Sequence, residues 1–132
     1  MPKFATKLVE AIKAKEVVEQ LCVNDVAKLD EFEKSLNGTT FKSEFATLMR
    51  FIEHHANGNS IGKKLVILKN PTKGGIEYEY KSDHLRIYAM QETGKKVVLF
   101  GGVKHDADSM DNIKPFRSLK EKYFEFIKTT KK

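Results

Sequence analysis

Apolar residues recur at helical spacing in four stretches of the chain and in extended runs in four others, with polar turn residues between them. Phe4, Leu8 and Ile12 lie four apart, which predicts an amphipathic helix within residues 1–16. The stretch from Glu16 to Val23 is open between helix and strand: its β-branched residues favour a strand, but its pattern decides neither. Asn24 or Asp25 can cap a helix that carries Val26, Leu29, Phe32 and Leu36 on one face, with Asn37-Gly38 ending it. Thr40 starts another, striped by Phe41, Phe45, Leu48 and Ile52 and stopped by Asn57-Gly58-Asn59, so the two form a helical hairpin.

After Gly62 the period changes from helical to extended. Lys64 to Lys69 reads as a short strand closed by Asn70-Pro71, and Gly74-Gly75 opens the next. In Ile76-Glu77-Tyr78-Glu79-Tyr80 large residues alternate with carboxylates, which predicts a sheet with one face on the core and the other uncovered. Leu85 to Met90 and Lys96 to Val103 follow tight turns at Ser82-Asp83 and Thr93-Gly94, and Pro115 seeds a last helix with Phe116, Leu119, Tyr123 and Ile127 facing inward. Two-residue loops would set Tyr80 against Leu85, Glu79 against Arg86, and Gly101 beside Arg86. Arg86 then projects from the uncovered face, away from the aromatic core, unless a one-residue slip reverses the faces. The fold class is therefore α+β: N-terminal helices packed on one face of a small antiparallel sheet, with a C-terminal helix. A single domain spans 1–132, comprising a helical extension over 1–16 and a basic helix and tail over 113–132.

Composition narrows the function classes. With 132 residues, 40% of them hydrophobic and 13 aromatic, the chain can bury a core without a disulfide or a metal, and disorder is excluded as its main state. Cys22 is alone, which points to a reducing compartment and, among Leu21, Val23 and Val26, to a small core residue. The longest apolar runs, Leu65 to Leu68 and Val97 to Val103, fall far short of a membrane span, and lysines break up the first sixteen residues, so a cytoplasmic protein is expected. Net charge is +6, unevenly spread: residues 21–60 carry −2 and residues 113–132 carry +5. Such a patch attracts polyanions in a salt-sensitive way, although a lysine-rich solvated helix gives the same count.

Arg86 has His84 and Tyr88 beside it on its strand, and Lys104-His105 follow the neighbouring strand. Cleavage of RNA by its own 2′-hydroxyl needs a base, an acid and a cation for the charge that builds on the phosphate. His, Tyr, Lys and Arg supply all three without a metal. A cross-strand ion pair between Arg86 and Glu79 is the plainer account of the same residues. His54 and His55 diverge by about 100° around a helix, which argues against a shared metal. Gly101-Gly102 lacks the spacing of a phosphate loop, so no nucleotide cofactor is implied.

Two helices followed by three or four antiparallel strands, with His84-Leu85-Arg86-Ile87-Tyr88-Ala89 on one strand and Val97-Val98-Leu99-Phe100-Gly101-Gly102-Val103-Lys104 on the next, resemble the RelE/ParE toxin superfamily. The similarity runs from about Val17 to Phe126 and is greatest to the HigB and phage Gp49-like branch, through Lys63-Lys64-Leu65 and Tyr78-Glu79-Tyr80-Lys81. The resemblance implies a RelE-like fold and the toxin of a type II toxin-antitoxin system. Its activity would be that of an mRNA interferase, a ribosome-dependent endoribonuclease. Its partners would be mRNA on the ribosome and a cognate antitoxin protein, and it would need no cofactor. By position it assigns catalysis to Arg86, Lys104 and His105. Candidate RNA contacts on the same reading are Lys81, His84, Tyr88, Lys63, Lys64, Arg117 and Lys120. The branch has a Thr-Gln-Lys-Thr-Pro-like segment where this chain has Asp106-Ala107-Asp108-Ser109-Met110. Two carboxylates near the phosphate would repel RNA, which implies an alternative: a non-catalytic module of this fold that binds a partner protein or RNA.

Overall fold

A computed structural model describes residues 2–68, 75–103 and 110–130. It is an α+β fold with seven strands and three helices, in the order β1 (Phe4–Leu8), β2 (Val17–Val23), β3 (Val26–Ala27), α1 (Lys28–Ser35), α2 (Lys42–Ala56), β4 (Leu65–Ile67), β5 (Glu77–Lys81), β6 (Leu85–Glu92), β7 (Lys95–Val103) and α3 (Met110–Thr130). The strands make one sheet ordered β1-β2-β7-β6-β5-β4, with β3 paired to β2. All pairings are antiparallel except β2 with β7, so the sheet is mixed. Among the described residues no helix is long and apolar enough to cross a membrane.

The expected first helix is a strand. A spacing of four is also a multiple of two, so Phe4 and Leu8 fit strand alternation equally, and pairing with β2 decides between the two. The open segment before it resolves as β2. Asn24 and Asp25 do not cap a helix: with φ of 51° and 69° they form the β2–β3 turn, and α1 starts only at Lys28. Pro115 does not open α3 but lies inside it, five residues after Met110.

Both faces of the sheet are covered. On one, Leu29 and Phe32 of α1 and Phe45, Leu48 and Ile52 of α2 pack on Val18, Tyr80, Ile87 and Val98. On the other, Phe116 and Tyr123 of α3 pack on Leu21, Tyr88, Met90, Val97 and Leu99. The face expected to be open is therefore closed by α3, and the carboxylates that alternate along β5 are buried instead of solvated: Glu77 and Glu79 are 0% and 4% exposed. They can be buried because α3 and β6 supply donors. Arg117 and Lys120 reach Glu77, and Tyr88 reaches Glu79.

The Thr93-Gly94 hairpin has its expected register from Glu92 against Lys95 to Ala89 against Val98. A bulge then inserts Leu99, so Tyr88 meets Phe100 and Arg86 meets Gly102 rather than Gly101. Gly101 lies instead under α1, where a Cβ would come 2.4 Å from the Phe32 ring. The preceding hairpin turns one residue later than expected, because the Ser82 N–H donates to the Leu85 carbonyl. Lys81 therefore faces Arg86, and Tyr80 faces Ile87. Partners move by two residues, which preserves the sides: Arg86 still points away from Tyr78 and Tyr80.

Candidate functional site

Arg86 is the second residue of β6, on the α3 side of the sheet, and is only 7% exposed. Its Nη1 donates to the carbonyls of Ser82 at 2.5 Å and Leu85 at 2.8 Å, which clamps the turn, while its Nε is buried with no partner. The expected ion pair with Glu79 does not form, since Glu79 lies opposite Tyr88 and accepts from the Tyr88 hydroxyl at 2.6 Å. Tyr88 is fully buried and stacks on Phe116. Burial, and then Glu79, push its phenol far above the usual tyrosine range. Lys104 and His105, with Asp106 to Ser109, lie outside the described residues.

The remaining predicted RNA contacts are scattered. Lys81 is half-buried opposite Arg86. His84 is exposed at the turn, but its Nδ1 contacts Glu44 of α2 at 2.6 Å and its ring stacks on Phe41. Glu44 also accepts from the Ser82 hydroxyl and the His84 backbone N–H, so this carboxylate fixes the turn that Arg86 grips from the other side. Burial opposes ionisation of Glu44, yet these hydrogen bonds outweigh it and hold its carboxyl below the ordinary 4.5. Lys63 and Lys64 are exposed on the short turn before β4. Arg117 and Lys120 belong to α3 and are bound to Glu77, near the far end of β6 from Arg86. Cys22 is buried, and burial raises its thiol pKa, as suits a core residue.

A second polar cluster gathers residues 80 positions apart in sequence. At the C-terminal end of α2, His55 Nδ1 meets the Tyr80 hydroxyl at 2.7 Å, and the His55 ring stands edge-on to Tyr78. Lys96 lies over the ring of that tyrosine, 5.2 Å from its centroid, and is hydrogen-bonded to Glu16 and Gln91. Gln91 donates to Glu16 and accepts from the Tyr78 hydroxyl. Burial, and then the Lys96 charge, lower the His55 pKa, which leaves the imidazole neutral near pH 7. Burial opposes ionisation of Glu16, but Lys96 and Gln91 overcome it and keep the carboxylate ionised. The sequence offered one signal for this cluster, His54-His55, and only His55 belongs to it; His54 is exposed. No family model, curated protein or solved structure matches this chain.

Proposed function

We propose that the chain is a RelE/ParE-type toxin that cleaves ribosome-bound mRNA, with Arg86 as the residue that holds the scissile phosphate. The observation that supports this is the state of that guanidinium: more than nine-tenths buried, with no ion pair among the described residues and one N–H without an acceptor. A buried cation without a counter-charge costs several kcal/mol, and such groups concentrate where an anion binds. In the cleavage, a base takes the 2′-hydroxyl proton, O2′ bonds to phosphorus, and the bond to the 5′-oxygen breaks as that oxygen gains a proton. Arg86 would neutralise the oxyanions; by the family resemblance, Lys104 and His105 would supply further charge and the proton.

Translation arrest tests this reading. Wild type expressed in bacteria should slow growth and cut message on ribosomes, whereas Arg86→Ala and Arg86→Lys, shown by melting curves to fold, should not cut. Wild type that neither slows growth nor cuts message sinks the proposal. One observation favours the alternative of a non-catalytic module: Arg86 Nη1 and the Tyr88 hydroxyl are already committed within the protein. That alternative predicts salt-insensitive binding to a small acidic or amphipathic helical protein, without cleavage.

A further inference from the structure

The cleft at the C-terminal end of α2 has no part in the Arg86 chemistry. It lies by Gly94 and Lys96, at the turn opposite the one that Arg86 clamps. It is a wide, solvent-open cleft of about 890 Å³, room enough for a nucleotide. We propose that it binds a nucleotide phosphate, presented by a free nucleotide or by the backbone of single-stranded RNA, through Lys96, His55 and Lys15.

The lining brings several donors together. Lys96 is buried at the floor of the cleft, where Glu16, Gln91 and the Tyr78 ring fix its ammonium in place. The Tyr80 hydroxyl is buried beside His55, and Nδ1 is the one acceptor it is given, so it donates there. The neutral ring then carries its proton on Nε2, which has no hydrogen-bond partner among the described residues, and His55 lines the cleft. Asn57 spends its Oδ1 on the Lys15 backbone N–H at 2.9 Å, which leaves its amide hydrogens as donors. Glu16, the carboxylate of the lining, is already matched by Lys96. Exposed Lys15, with Lys63 and Lys64 beside the lining residue Gly62, then leaves the rim positive. Half-buried Ile61 and Leu65 provide an apolar wall against which a ribose or base can rest. A set of donors with a positive rim and one apolar side suits a phosphate ester better than a peptide carboxylate.

The test is an NMR titration of the full chain with adenosine monophosphate, with a short oligouridylate and with polyglutamate. At least one nucleotide probe should shift the His55 imidazole and Lys96 signals, and Lys15→Ala and His55→Gln should each weaken that binding about threefold or more. Response to both probes indicates the phosphate alone; response to the oligouridylate alone indicates the RNA backbone. Arg86→Ala should leave the titration unchanged, which separates this site from the nuclease reading. Signals at the cleft that neither nucleotide probe moves, or that polyglutamate moves while the nucleotides do not, overturn the proposal.

Discussion

Replacing Tyr88 by phenylalanine removes one oxygen and tests whether this residue serves the interior or an RNA substrate. In the structure its hydroxyl donates to Glu79 Oε2 at 2.6 Å, and the two residues are 0% and 4% exposed. A hydrogen bond to a charged group contributes about 1.5–3 kcal/mol, and its loss leaves a carboxylate oxygen buried without its donor. For a chain of this length each kcal/mol moves the melting temperature by roughly 4 °C, so Tyr88→Phe should melt about 6–12 °C lower. Removing both polar partners in Tyr88→Phe/Glu79→Met should restore at least half of the loss, because no orphaned carboxylate remains. Thermal denaturation followed by circular dichroism reads both effects. Should Tyr88→Phe melt with wild type yet lose RNA binding, the hydroxyl faces substrate and the buried-pair argument is wrong.

Other consequences follow from particular contacts. Gly101→Ala sets a methyl group against the Phe32 ring at 2.4 Å, with Phe45 behind that ring, and should cost about 1–3 kcal/mol by melting; partial rescue by Phe32→Leu is expected, and its absence would place the clash elsewhere. Asp25→Gly relieves a φ of 69° in the β2–β3 turn and should raise stability by about 0.5–1 kcal/mol, whereas a drop would mean that the aspartate does more than turn the chain. Because the Glu44 carboxyl is held below 4.5, its stabilisation is complete above that pH and lost as pH falls through the lowered value. Glu44→Gln should therefore flatten the fall of melting temperature between roughly pH 5 and 3, and an unchanged slope would show that other carboxylates set it.

Strongly periodic segments could be read from sequence. The stripe Phe45, Leu48 and Ile52 became the buried side of α2, and Thr93-Gly94 became a tight turn, with glycine at φ 75°. These features rest on contacts within a few residues, where side-chain spacing and backbone permissiveness are sufficient causes. The side of the sheet on which Arg86 stands was legible too, since strand alternation survives a two-residue shift.

What decided the rest was contact between distant segments. β1 and β2 became strands through pairing with each other and with β7, although the pattern of the first segment served a helix as well. Glu44, brought from α2, holds the β5–β6 turn one residue later than local spacing suggested, and the Leu99 bulge moves Gly101 away from Arg86 to lie beneath Phe32. Glu77 and Glu79 look like solvent-facing residues in any local window. They are buried because α3, about 40 residues further on, brings cations to Glu77 and the next strand, β6, brings a hydroxyl to Glu79. The alternation of polar and apolar residues thus determined which side chains share a face, while only the tertiary structure decided which faces meet water, because burial of a charge depends on partners that sequence proximity does not supply.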